Sequence, residues 1–330
     1  MSDVRILYPS KARDLWLTFL RWFDSWAGLE YMKTDGVPKM DWLRCIPIIA
    51  VHAMCLGVIW VGTSWIAVAV AVAFYFIRMF AITGWYHRYF SHRTFKTTRA
   101  CQLAFAILGG SCAQRGPLWW AGHHRHHHIA SDTKDDVHSP AQGGFLWSHI
   151  GWFTSQTHFA PRLKSIGDFA KYPELRFLDR FDILVPTIAG FAMFGFGKLL
   201  ETYAPGLGTN GPQMLIWGFF ISTVALIHGT CTINSLSHVY GSQRYDTGDD
   251  SRNNFLLALI TMGEGWHNNH HFYPASTRQG FYWWEIDMTY YCLKGMEWLG
   301  LVWDIRDVPL YVREQKNKQE VVASVQLTAG

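Results

Sequence analysis

Nine histidines stand in three clusters, His87-Arg-Tyr-Phe-Ser-His92, His124-Arg-His-His127-His128 and His267-Asn-Asn-His270-His271. On a helix, a histidine and its partners three and four places on share a face, so each H-x-x-H-H cluster is expected to direct three imidazoles one way. Faces of that kind, brought together, form a metal site. Neutral imidazole suits iron, zinc, copper and nickel, so donor type alone does not choose the metal. Number says more. A structural zinc takes four ligands and a catalytic zinc three from protein, whereas nine clustered histidines exceed one ion and fit two. Were the two ions iron and the site beside a membrane, the expected chemistry would be activation of dioxygen against an inert hydrocarbon.

The elements that must position these clusters are membrane helices. Of 330 residues, 49% are hydrophobic and 16% charged, against about 25% charged in an ordinary soluble domain. Seventeen Trp and fourteen Tyr suit the headgroup level of a bilayer. Residues 43–82 are almost unbroken apolar sequence, enough for two helices at about 20 residues per crossing, with a turn at Gly62-Thr63-Ser64. Residues 182–200 and 213–233 read as a second hairpin, joined by Ala204 to Pro212. The apolar stretch from Ala100 to Gln114 is short for a crossing, and a crossing there would put the first two clusters on opposite faces. It is expected inside the protein or at the interface.

The fold expected is therefore all-α: four transmembrane helices in two hairpins, with a cytoplasmic helical cap carrying the histidines. Residues 1–42 form an interfacial N-terminal segment, 43–312 the membrane domain and 313–330 a polar, disordered tail. The outer loops hold at most Lys198, whereas Tyr86 to Arg180 carries a dozen Lys and Arg. The positive-inside rule then places the histidines and both termini in the cytoplasm, of a bacterial inner membrane or the endoplasmic reticulum. Arg78 is expected near the cytoplasmic end of its helix, facing protein. Residues 11–30 and Phe281 to Leu301 read as interfacial amphipathic helices. Net charge of +4 calls for no nucleic-acid partner, and six scattered Cys without C-x-x-C give neither a disulfide framework nor a cysteine zinc site. His52, His149, His158 and His228 stand singly and read as packing or hydrogen-bonding residues. His123, His126 and His138 are left open between ligands and partners of ligands.

The boxes, with Gly84-Trp85-Tyr86 before the first and Gly-Glu-Gly-Trp-His-Asn-Asn-His-His at the third, resemble the integral-membrane fatty acyl desaturases of the stearoyl type, over about residues 43 to 305. In that family an N-x-x-x-H element, here Asn234-Ser-Leu-Ser-His238, adds one ligand and an Asn that holds a water on the metal. Asn234 and His238 are i and i+4, a spacing that lets both face the site. The resemblance thus implies His87, His92, His124, His127, His128, His238, His267, His270 and His271 as ligands of two irons. It implies a cis double bond, at delta-9, made with O2 and two electrons. It also implies a kinked acyl tunnel bent by Gln114, Trp120 and Thr230, with Tyr75 and Met79 where the methyl end stops.

Acyl-CoA-using relatives carry basic residues just before the second box and in a pair after the S-H-x-G-W element; here those positions are Gly122 and Gln156-Thr157. Arg115, Arg162 and Lys164 are possible substitutes, so fatty acyl-CoA and acyl-lipid both stand as substrate. The chain has no haem-attachment C-x-x-C-H, no four-cysteine cluster and no H-P-G-G, so electrons are expected from a separate ferredoxin, rubredoxin or cytochrome b5 with its reductase. A membrane di-iron hydroxylase or alkane-type oxygenase is the alternative, separated by its product, C–OH rather than C=C. A metal transporter would need polar groups at mid-membrane, and these spans offer few.

Overall fold

The computed structural model describes residues 11–315 apart from 33 and 35. The first ten residues of the N-terminal segment and residues 316–330 of the expected disordered tail lie outside the described residues. Helix α1 (Lys11–Leu20) occupies the first half of the stretch read as interfacial. It buries Leu17 and Thr18 and exposes Leu15 and Trp16, an apolar outer face of the kind a bilayer surface covers.

The principal helices that follow are α2 (Ile46–Val61), α3 (Trp65–Ser91), α4 (Arg99–Gly110), α5 (Pro117–Ala130), α6 (Pro173–Arg180), α7 (Leu184–Tyr203), α8 (Gly211–His238), α9 (Phe255–Ile260), α10 (His267–Phe272) and α11 (Met288–Trp298). Three of these, α3, α7 and α8, are long and apolar enough to cross a membrane; α2 is apolar but shorter. The expected break between α2 and α3 is present, with Gly62 at φ 66°, a left-handed backbone that favours glycine. Helix α4 has 12 residues and lies largely within the stretch Ala100 to Gln114, read as short for a crossing. Of Phe281 to Leu301 only α11 is helical, because Asp287 accepts from the Tyr290 amide and starts the helix there.

The chain forms two compact units that interleave in sequence. One is drawn from Met1–Arg78, Ala106–His123 and Ile150–Ile227. In it α7 packs on the start of α8: a Cβ on Gly197 would lie 2.5 Å from the Asn210 carbonyl oxygen and 2.6 Å from Met214 Cβ. On α2, a Cβ at Gly57 would lie 2.6 Å from Ile216 Cδ1. Small residues at such crossings let apolar helices approach closely, which in lipid is the main source of helix association. Outward, Trp60, Trp65 and Phe191 are 75% exposed or more. Arg78 is fully buried, as its position within an apolar helix demands, and donates to the Ser111 carbonyl at 3.1 Å, Thr223 Oγ1 at 2.7 Å and Ser222 Oγ. The other unit, from Met79–Phe105, His124–His149 and His228–Gly330, carries all three histidine boxes and a short antiparallel pair, β1 (Lys96–Thr97) with β2 (Val302–Trp303).

Candidate metal centre

The first box does not sit on an α-helix. From Ala81 to Ser91, α3 is a π-helix, in which the bond runs from residue i to i+5. His92 N donates to the His87 carbonyl at 3.2 Å and Ser91 Oγ to that of Tyr86 at 2.8 Å. Five residues then make little more than one turn, so H-x-x-x-x-H brings both rings together, with centroids 4.9 Å apart. The second box lies on α5 and the third on α10.

The nine histidines implied as ligands fall into two groups. His87, His92, His124, His128 and His270 form one and His127, His238, His267 and His271 the other; within each, the candidate ligand atoms lie within 4.8 Å of one another. This corrects the expectation that each H-x-x-H-H box aims three rings one way. Residues i+3 and i+4 of a helix point about 100° apart, and each box divides two to one. His124 and His128 serve the first group while His127 turns to the second, and His267 and His271 serve the second while His270 turns to the first.

In the five-histidine group the Nε2 atoms of His87 and His270 are 3.0 Å apart, those of His92 and His124 2.9 Å, His124 and His128 3.0 Å, and His128 and His270 2.9 Å. In the four-histidine group His238 and His267 approach to 3.1 Å. Metal–nitrogen bonds of about 2.1 Å at right angles put neighbouring nitrogens about 3 Å apart, the spacing found. Six of the rings are also held neutral. Burial, reinforced by neighbouring histidines, pushes His92, His124, His128, His267 and His270 well below the usual imidazole range and His271 to about 4. His127 Nε2 and His271 Nε2 are buried without a hydrogen-bond partner among the described residues. Converging neutral lone pairs repel unless a cation lies between them, so the donor set fits two metal ions.

Four carboxylates that sequence reasoning missed orient these rings. Asp136 Oδ2 accepts from His127 Nδ1 at 3.0 Å, Asp132 Oδ2 from His238 Nδ1 at 2.8 Å and Asp249 Oδ2 from His271 Nδ1 at 2.6 Å. Glu264 Oε2 accepts from His87 Nδ1. A carboxylate on Nδ1 fixes the tautomer with Nε2 free and raises its basicity. Although burial opposes ionisation, the histidine and backbone donors hold Asp132 down to about 2 and Asp136 and Asp249 lower still. A signal was present for Asp132 and Asp136, which follow the second box within eight residues, and for Glu264, three before the third box, but not for Asp249.

His126 bonds the Asp135 carbonyl at 2.9 Å and His123 that of Ala160 at 3.2 Å. His138 packs 4.2 Å from the His127 ring and joins His127 and Asp136 in a third group of potential donors. Of the single histidines, His52 and His158 bond backbone carbonyls, and His149 Nε2 meets His228 Nδ1 at 3.0 Å. Asn234 is half-buried near the end of α8, where the α-helical hydrogen bonding ends at Ser235 and His238 sits on a 3-10 turn. Tyr75, Gln114 and Trp120 belong to the first compact unit, Met79 and Thr230 to the second. Met79 is 1% exposed. Gln114 is flanked by Ala113 and Arg115 at φ 56° and 70°, strained backbone of the kind that collects at functional positions.

Residues 63–298 match the family described as fatty acid desaturase. The chain belongs to that family. It is an oxidoreductase acting on fatty acyl chains, in a family that depends on iron. Among curated relatives, this desaturase is 35% identical over 306 residues to the acyl-CoA 5-desaturase of Anemone leveillei, covering 89% of this chain and 90% of that protein. It is 34% identical over 278 residues to the sn-1 stearoyl-lipid 9-desaturase of Anabaena variabilis, covering 83% and 96%. It is 34% identical over 271 residues to the delta-9 acyl-lipid desaturase 1 of Arabidopsis thaliana, covering 81% and 84%.

Proposed function

We propose that this desaturase inserts a cis double bond at delta-9 of an acyl chain esterified to a membrane lipid, using two irons, O2 and two electrons from a separate donor. The observation that carries the reading is the convergence of nine imidazoles into a group of five and a group of four. Bound there, a pair of irons supplies the O2-derived oxidant that removes hydrogen from an unactivated methylene. The chain's own residues do the rest. Glu264, Asp132, Asp136 and Asp249 keep Nδ1 protonated so that each Nε2 lone pair points inward, and burial keeps water from competing. Lipid profiling of a host expressing the chain tests the reaction: a new delta-9 monoene supports it, and a hydroxylated product overturns it.

The lipid carrier is favoured by what has become of the possible basic substitutes. Arg115 Nε is 3.1 Å from Asp182 and its Nη2 donates to the Phe159 carbonyl at 3.0 Å. Arg162 Nε lies 3.4 Å from His123 Nδ1, and a Cβ on Gly122 would already meet the Arg162 carbonyl at 3.2 Å. Thr157 is buried with its hydroxyl on Ser155. Only Lys164 is left exposed among these positions, and a single cation is a poor match for the several phosphates of CoA. Two of the three relatives named above act on lipid-linked chains. Purified enzyme given equal amounts of acyl-CoA and acyl glycerolipid, with thioesterase and acyltransferase excluded, is expected to convert the lipid at least tenfold faster. Faster conversion of the thioester reverses the assignment.

We further propose that α2 crosses with α3, α7 and α8, which returns the chain to the cytoplasmic side and puts both termini and the boxes there. The exposed Trp60 and Trp65 at the α2–α3 turn suit the far headgroup layer. An acidic donor protein is expected to dock on the basic cytoplasmic face, with association weakened by salt. Without it, purified enzyme given NAD(P)H alone is expected to make no product beyond a single turnover, and sustained turnover under those conditions contradicts a separate donor.

Met79 is proposed to close the far end of the acyl tunnel and to favour chains of about C16 over C18. Removing room for two or three methylenes, each worth about 0.8 kcal/mol, sets a preference of one to two powers of ten. Met79→Ala is expected to raise the C18 to C16 activity ratio by that factor. An unchanged ratio in folded, iron-loaded protein returns Met79 to helix packing.

A further inference from the structure

The two histidine groups sit in unlike electrostatic surroundings. Three of the four rings in one group, His127, His238 and His271, donate Nδ1–H to buried carboxylates. Those carboxylates are otherwise met by neutral donors: the Ser139 hydroxyl and Asp250 amide on Asp132, the Asp132 and His138 amides on Asp136, and the Thr247 and Ser251 hydroxyls and Ser251 amide on Asp249. No Lys or Arg pairs with them among the described residues. In the five-histidine group His87 has such a partner, Glu264, and that carboxylate shares the Arg88 cation with Asp287. Glu264 lies 3.0 Å from Arg88 Nη2 and also accepts from Gln279 Nε2 at 3.1 Å.

Asp132, Asp136 and Asp249 thus put about three negative units around the four-histidine group, whereas Glu264 and Asp287 set against the single Arg88 leave about one beside the five-histidine group. An uncompensated carboxylate stabilises a trivalent ion more than a divalent one, and hydrogen bonding to Nδ1 makes the imidazole a stronger donor in the same direction. A fifth imidazole opposes this at the other group. It brings a neutral ligand, however, where three full charges act through ligands already bound.

We propose that the two centres differ in reduction potential, and that the four-histidine centre, backed by Asp132, Asp136 and Asp249, gives up the first electron when the di-ferrous protein is oxidised. The proposal rests on the reading that the two groups hold two irons. The step is a one-electron transfer: one ferrous ion becomes ferric, a one-electron oxidant such as ferricyanide is reduced to ferrocyanide, and no proton moves.

The test is an anaerobic potentiometric titration of purified protein carrying two ferrous ions per chain, followed by Mössbauer and EPR spectroscopy. Two midpoints are expected. Asp249→Asn and Asp136→Asn should each raise the first midpoint by about 59 mV, a tenfold change for one electron, and leave the second nearly in place. Glu264→Gln should move the second and spare the first. Thr247→Val and Ser251→Ala leave the Asp249 carboxylate in place but remove hydroxyl donors that dilute its charge, and should lower the first midpoint. A merely structural role for the aspartate would not give shifts of opposite sign, and these two variants carry the test if the asparagine variants fail to load iron. One unsplit midpoint, or a first midpoint that follows Glu264→Gln and ignores the Asp249 set, overturns the proposal. Protein that never binds two irons instead overturns the underlying reading, and iron analysis reports that before any titration begins.

Discussion

Protein reconstituted with zinc in place of iron is expected to make no unsaturated product, whereas iron-loaded protein with the same fold and two ions per chain does. The donors are nine imidazoles in groups of five and four, and nothing in an imidazole set selects iron. Divalent zinc generally binds nitrogen donors more tightly than ferrous iron, so overexpressed protein is expected to purify with zinc in both groups. Zinc has no accessible redox change, and the nearby carboxylates, held ionised by His127, His238 and His271, cannot supply one. The loss should therefore be complete rather than partial. Metal analysis with gas chromatography of the product checks it, and turnover by zinc-loaded, iron-free protein would defeat the iron assignment.

How much of this was legible in the sequence depends on whether the chemistry is local. The break at Gly62 and the hairpin of α7 and α8 follow from runs of apolar residues and a left-handed glycine, and these are local. The clustering of eight of the nine histidines follows from spacing, which is local too, whereas His238 was implied only by the family resemblance. The division of labour among them is not. H-x-x-x-x-H fits no α-helical face, and the π-helix that makes it work depends on the His92 amide choosing the carbonyl five residues back. The split of His127 from His128 and of His270 from His271 is latent in the 100° step of a helix but becomes visible only when the boxes face each other. The carboxylates are the plainest omission. Asp132 reaches a histidine 106 positions away and Asp249 one 22 positions away, and no periodicity announces such pairs. The count of crossings was legible in part, since apolar runs suggested four spans and three helices meet the length of a crossing, with α2 apolar but shorter.

Asp287→Ala is expected to destabilise the metal-free protein by about 3–5 kcal/mol, the usual loss when one partner of a buried ion pair is removed. Arg88 is 1% exposed and Asp287 fully buried, with Nη1 at 2.9 and 3.0 Å from the two carboxylate oxygens. The carboxylate also accepts from the amides of Gln279 at 2.7 Å, Gly280 at 3.4 Å and Tyr290 at 3.0 Å, the last being the cap of α11. Alanine leaves the guanidinium with Glu264 and the Thr277 carbonyl, strips three amides of their acceptor and opens space beside Gly263, whose φ of 122° admits no side chain because a Cβ there would lie 2.5 Å from Asp287 Oδ1. Removing the exposed Asp304, paired with Lys96 where both side chains are more than half exposed, should cost under about 1 kcal/mol. Replacing both members together, Arg88→Met with Asp287→Leu, should recover little of the stability lost in Asp287→Ala, because it leaves the buried Glu264 without its cation and the three amides without an acceptor. Thermal unfolding in detergent on metal-free protein distinguishes these variants. If Asp287→Ala unfolds with wild type, the Arg88 network is not what holds the third box against α3.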